Sequence, residues 1–203
     1  MDADYQPVFV RAYTERVKED SKRSESPGRK SSAWPREVLV FDCETTIDPS
    51  QRLLFGAYRY NRMRTDGRLR CVEEGIFHAD DLDREQLATI RSYVKANRAA
   101  APSRRLRCYS LDGFLRRVLY RAIHRAGAVS VGFNLPFDFS RLAWDWVDPT
   151  RKRFVGGFSL RLWHYEDMQG IRRRSQFRPD LSIKAIDSKR QFMGFTGLLS
   201  IWG

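Results

Sequence analysis

Cysteine, histidine and long apolar runs are scarce in this 203-residue chain. The three cysteines, Cys43, Cys71 and Cys108, form an odd set with no close pair. That argues against a disulfide framework or a clustered-thiol zinc site, and fits a protein that works reduced. The histidines give no metal or catalytic set either. His78 follows an expected strand, His124 lies in an amphipathic helix, and His164-Tyr165-Glu166-Asp167 packs its donors side by side rather than at helix or strand spacing. No apolar stretch is long enough to span a bilayer. The start, Met1-Asp2-Ala3-Asp4, lacks the basic n-region of a signal peptide. The expectation is a cytoplasmic protein with no membrane partner.

What is present is a core and a surplus of cations. Hydrophobic residues make up 42%, enough for one sizeable core in a chain of this length. Lysine and arginine number 37 against 25 aspartates and glutamates, a net +12, and most of the cations are arginine. The guanidinium fork suits phosphate, and a basic surplus favours attraction to a nucleic-acid backbone. Charge alone also fits basic soluble proteins of other kinds. Residues 1–36 read as a flexible charged N-terminal tail, dense in Lys, Arg, Glu and Ser from Glu15 to Ser32, with Pro27-Gly28 in its middle. Residues 37–203 read as one folded domain.

The sharpest signal is Leu39-Val40-Phe41-Asp42-Cys43-Glu44-Thr45-Thr46. The run from Val38 to Phe41 reads as a buried central strand. On a strand Asp42 and Glu44 project to one face and Cys43 to the other, with the two Cα atoms about 7 Å apart. Paired carboxylates there raise each other's cost of ionisation unless a cation sits between them, and a hard divalent ion is the natural choice. The alternative is that both acids have simply reached solvent at the strand end. Cys43 then packs in the core.

A second strand, Ala128 to Phe133, runs into Asn134-Leu135-Pro136-Phe137-Asp138. Pro136 suits the first position of a helix, which Phe139, Leu142, Ala143 and Trp146 continue at helical spacing. Asp138 is thus a first-turn residue, where it either complements the dipole or joins a site at a strand-to-helix junction. Between the two motifs, Leu53–Asn61 and Leu69–Phe77 flank Thr65-Asp66-Gly67, a strong hairpin signal. Asp83 caps a helix to about Arg98, Ala99–Arg105 is a basic loop, and Ser110 caps a second helix that ends at Gly127. Downstream, Phe158–Tyr165 and Phe177–Asp187 suggest a hairpin around Arg172-Arg173-Arg174, either a basic tip for a substrate backbone or a solvated loop. Trp163, Tyr165 and Phe177 read first as packing partners, with stacking on unpaired bases as the alternative.

Taken together, Phe41-Asp42-Cys43-Glu44-Thr45-Thr46 and Gly132-Phe133-Asn134-Leu135-Pro136-Phe137-Asp138 resemble the first and second motifs of the DEDD-type 3′–5′ exonucleases of the ribonuclease H-like superfamily. Polymerase proofreading domains belong to that group. The resemblance implies an α/β fold, a ribonuclease H-like mixed sheet flanked by helices. The first hairpin would pair antiparallel with the motif strand, and the Ala128 strand would lie parallel on its other side. It implies two divalent ions, Mg²⁺ or Mn²⁺, held by Asp42, Glu44 and Asp138. It also implies a substrate of single-stranded DNA or RNA, with Thr45 and Thr46 beside the terminal nucleotide and Asn134 and Phe137 shaping its pocket.

The chain departs from the family pattern in one place. None of Asp145, Asp148, Glu166, Asp167, Asp180 and Asp187 has the setting of the fourth acid, and Asp187 resembles the end of the family's next strand. The expectation is a domain lacking the final motif helix, which a missing C-terminal segment or a polymerase partner would supply. An alternative function follows: a catalytically impaired fragment that only binds nucleic acid. An endonuclease or integrase of the same superfamily would explain Asp42 but not the Asn134–Asp138 motif.

Overall fold

The computed structural model describes residues 35–100, 106–187 and 190–196. The charged segment up to residue 34 and most of the basic loop at 101–105 lie outside the described residues. Alternation, rather than uniform apolarity, builds β1 (Glu37–Thr45): Leu39, Phe41 and Cys43 are buried while Val40, Asp42 and Glu44 are exposed. The strand is central by pairing but faces the core on one side only, as strands with one wet face do.

The Asp66-Gly67 turn forms as the sequence predicts. Gly67 takes a positive φ of 78°, and β2 (Leu53–Met63) and β3 (Leu69–His78) run antiparallel from it. On its other side β2 pairs antiparallel with β1, from Glu37 opposite Arg62 to Thr45 opposite Leu53. Cys43 faces Gly56 in that register. A Cβ on Gly56 would collide with the Phe77 ring and come within 2.5 Å of the Asp42 carbonyl, so only glycine lets the two backbones approach here.

Helix α1 (Arg84–Ala100) is capped by Asp83, whose carboxylate accepts the Gln86 N–H at 2.8 Å. Leu87, Ile90 and Val94 are its more sheltered positions. Next, β4 (Arg107–Ser110) adds to β3 in parallel. Ser110 caps α2 (Leu111–Phe114), which continues into a π-helical stretch over Leu115–Arg125. Phe114, Leu115, Val118, Leu119 and Ala122 are buried along it. β5 (Val129–Val131) then lies parallel to β1, from Val38 opposite Val129 to Val40 opposite Val131. The sheet order β4-β3-β2-β1-β5 gives the mixed sheet and the pairing expected of the motif strand. Its buried face is aromatic. Phe77 and Phe114 stack with centroids 4.0 Å apart, and Phe41 meets Phe139 edge-on at 5.2 Å. Each such ring contributes about 1.5–3 kcal/mol on burial.

Two expectations are corrected downstream. Helix α3 (Leu135–Leu142) places Pro136 at its second position and stops at Leu142, with Ala143 extended. Trp146 therefore belongs to β6 (Asp145–Val147), where it pairs with Leu160 of β7 (Phe158–Arg161) and is exposed. The Trp144 N–H bonds the Arg161 carbonyl and Asp145 pairs with Arg161 at 2.8 Å, so antiparallel pairing overrides the helical spacing. The hairpin of β8 (His164–Glu166) and β9 (Arg172–Arg174) turns at Asp167–Ile171, so the three arginines form its return strand and not its tip. β10 (Asp180–Ala185) pairs antiparallel with β7, the pairing expected of Phe158–Tyr165 and Phe177–Asp187. It sits between β7 and β11 (Gln191–Thr196) in a second sheet ordered β11-β10-β7-β6. Buried hydroxyls of Ser159, Ser182 and Thr196 link β7, β10 and β11 through two 2.7 Å hydrogen bonds. Leu160, Leu162, Trp163, Leu181 and Ile183 join the same apolar cluster as Phe41 and Phe114. Among the described residues no helix is long and apolar enough to cross a membrane.

Candidate functional site

The register of β1 puts Asp42 and Glu44 on the exposed face, at the end where the strand bulges between Glu44 and Thr45. Asp138 arrives from the other side. Asn134 is the N-cap of α3, its carbonyl accepts the Asp138 N–H at 3.0 Å, and its own exposed side chain makes no capping bond. Gly132 permits the close entry of this helix. A Cβ there would lie 3.0 Å from the Phe41 carbonyl and 2.8 Å from Leu135 Cδ2.

The chain thus delivers Asp138 into a buried position against β1. Only 2% of the residue is exposed, and its Oδ2 is buried with no hydrogen-bond partner. The Cys43 thiol donates to the Asp138 backbone carbonyl at 3.8 Å, which fixes helix to strand. Burial first, then the Asp42 carboxylate and more weakly Glu44, push the Asp138 pKa up to about 6, against a partial offset from the Cys43 backbone N–H. Burial and the same three acids push the Cys43 thiol far upward, so it stays protonated and inert. Asp42, Glu44 and Asp138 therefore lie within electrostatic reach of one another. They are not a preformed cage: among the described residues no group of three or more His, Cys, Asp or Glu side chains is arranged to hold a metal ion.

The remaining expected residues divide. Thr46 is committed to its own loop, its hydroxyl accepting the Arg52 N–H at 3.0 Å, while Thr45 is half-buried at the end of β1. Phe137 carries the Arg141 guanidinium 5.0 Å above its ring. Arg141 is the residue that sequence reasoning missed. Its Nη1 donates to the Ser50 and Gln51 carbonyls at 3.2 and 2.9 Å, tying the loop after β1 to α3. The available signal was its position one turn after Asp138. Arg141 also helps line a cavity of about 380 Å³ with Arg52, Asp80, Asp81, His164 and Arg172; none of the three site acids lines it.

The acids downstream are mostly engaged by arginine. Asp145 pairs with Arg161, Asp167 with Arg173, Asp180 with Arg174 and Asp187 with Arg190, all within 3 Å. None is a spare fourth carboxylate for the β1 site. No protein-family model, curated protein or solved structure matches the chain.

Proposed function

We propose that the protein is a metal-dependent 3′–5′ exonuclease that acts on single-stranded DNA or RNA on a ribonuclease H-like fold. The observation that carries this reading is the buried, unpartnered Asp138 carboxylate beside Asp42 and Glu44 at the end of β1. An orphaned buried carboxylate oxygen among like charges is costly, and a cation removes that cost. The donor set is all hard oxygen, which suits Mg²⁺ or Mn²⁺ rather than zinc or copper. The β3-β2-β1-β5 order, with β5 parallel to β1, supports the fold assignment.

In this reading Asp42, Glu44 and Asp138 hold two ions, which when bound offset phosphate charge and lower the pKa of the attacking water. Thr45, Thr46, Asn134 and Phe137 shape the seat of the terminal nucleotide. Arg141 keeps the loop after β1 against α3. This reading requires a fourth acid, which a partner such as a polymerase would supply.

A second reading, a protein that binds nucleic acid without cutting it, rests on the net charge of +12 and on the pairing of Asp145, Asp167, Asp180 and Asp187 with arginines. Digestion of a 5′-labelled single strand with Mn²⁺ separates the two. A ladder that shortens from the 3′ end, abolished by EDTA and by Asp42→Ala, supports the exonuclease. Intact substrate that is retarded on a gel supports the binding protein.

A further inference from the structure

We propose that the cleft between the β8–β9 hairpin and the π-helical stretch seats one unpaired nucleotide, with Tyr165 and Phe177 against the base and Arg116 and Arg178 on its phosphate. This rests on the nucleic-acid part of the reading above, and on neither cleavage nor metal. The cleft has a volume of about 300 Å³, and Trp163 forms part of its wall.

The hairpin itself is the first observation. Two strands of three residues have little intrinsic stability. This pair is held by polar contacts: Arg173 with Asp167, Arg174 with Asp180, and Arg116 Nη2 on the His164 carbonyl at 3.2 Å. Its geometry therefore adds little to the core.

Arg178 is the second. Its guanidinium stacks 4.6 Å over Tyr120 and 5.8 Å from the Trp163 centroid, and its Nη1 is buried with no hydrogen-bond partner. No carboxylate lies within ion-pairing distance of it among the described residues. Burial first, then the neighbouring Arg116, depress its pKa against smaller offsets from Tyr120 and Asp112. Arg116 is itself only partly neutralised, by Asp112 at 2.5 Å at the surface.

The third is the apolar content. Phe177 is 70% exposed and Tyr165 53% exposed, and both line the same hollow. Two rings and two guanidinium groups around a small cleft match a base and a phosphate. Stacking of this kind is tolerant of sequence, and the planar fork of arginine accepts a phosphate with two donors. The patch is too small and too charged for a stable protein partner.

The test measures binding of a fluorescein-labelled oligo(dT) 12-mer by anisotropy in EDTA, where no cleavage occurs. Phe177→Ala, at a highly exposed ring and so without cost to the core, should weaken binding by about 5- to 100-fold, and Phe177→Trp should restore it. Arg116→Gln should weaken binding and reduce the slope of log affinity against log salt by about one. An oligonucleotide carrying 5-iodouracil should crosslink to Tyr165 or Phe177. Wild-type affinity in Phe177→Ala, crosslinks only elsewhere, or no binding by the wild type would each overturn the proposal. The two readings fail separately. A wild type that never shortens the strand in Mn²⁺ but loses affinity on Phe177→Ala keeps the cleft and ends the exonuclease; a 3′ ladder with unchanged Phe177→Ala affinity does the reverse.

Discussion

Two regions of this chain hold charge that their neighbours leave unsatisfied, and the signs are opposite. At the end of β1 a buried carboxylate oxygen of Asp138 has no donor and faces two further acids. Under the β8–β9 hairpin a buried guanidinium nitrogen of Arg178 has no acceptor and faces a further arginine. The scaffolds differ as much as the charges. Asp42 and Glu44 stand on a nine-residue strand locked between two partners, over a core of stacked rings. Arg178 stands on the segment between β9 and β10, beside a hairpin of three-residue strands held by ion pairs, and Arg116 on the π-helical stretch. A rigid site that lacks a cation suits chemistry, which needs fixed geometry. An adaptable site that lacks an anion suits the holding of a flexible strand.

The largest expected effect breaks the first half of this contrast. Asp42→Ala should reduce nuclease activity on the order of 10²- to 10⁴-fold, as loss of a group at the reacting centre does, while leaving the melting temperature within a few degrees. Since Asp42 is exposed, its loss opens no cavity. A comparable fall in folded fraction would show instead that the acid is structural.

Asp138 should behave in the opposite way, since it is buried. Its pKa rises from 3.8 to about 6, so between these values the folded state binds more protons than the unfolded state. The contribution of Asp138 to stability in EDTA is therefore fully present below about pH 4, is lost as pH rises through 6, and amounts to about 3 kcal/mol. Asp138→Asn should flatten that dependence and be the more stable protein at pH 7.5. Urea denaturation at several pH values checks this. A wild type whose stability relative to Asp138→Asn rises from pH 4 to 7 would contradict the burial argument. Mn²⁺ should raise the melting temperature of the wild type and not of Asp138→Asn.

A smaller effect is expected of the cation that borders the acids. Arg141→Met should cost about 1.5–3 kcal/mol, since it removes two charged hydrogen bonds to the Ser50 and Gln51 carbonyls and the contact with Phe137. Hydrogen exchange should then quicken at Thr46–Arg52 before it changes in β2 or β3.

The same contrast explains what was legible in the sequence. β1, β2 and β3 span nine to eleven residues, so alternation has room to declare itself, and Asp66-Gly67 marks the turn between the last two. Asp83 and Ser110 announced their helices by chemistry confined to one turn. The acids could be placed because strand parity fixes which face each occupies. β6, β8 and β9 have three residues each, too few for any period to appear. Trp146 looked helical because Phe139 and Leu142 precede it at the right spacing, yet its partner Leu160 lies fourteen positions away. No local pattern in the sequence distinguishes Arg178 from the other arginines. That its guanidinium lies over Tyr120 and near Trp163 depends on contacts between residues far apart in the chain.

The smallest expected effect tests whether the hairpin's ion pairs are adhesive or positional. The Arg173–Asp167 pair is 2.9 Å long, and the Arg173 side chain is half exposed. Exposed pairs of this kind contribute about 0–1 kcal/mol, so Arg173→Ala should barely move the global melting temperature. Asp167 would remain anchored, because its carboxylate also accepts the Gln169 and Ile171 N–H groups at 3.0 and 2.9 Å. The turn survives and the strand it supports loosens. Strand binding in EDTA should therefore fall by a few-fold, more than the loss of one phosphate-attracting charge predicts from the salt slope. If the fall matches that charge alone, Arg173 acts only through the field of the surface, and the hairpin is held by Arg116 and Arg174 without it.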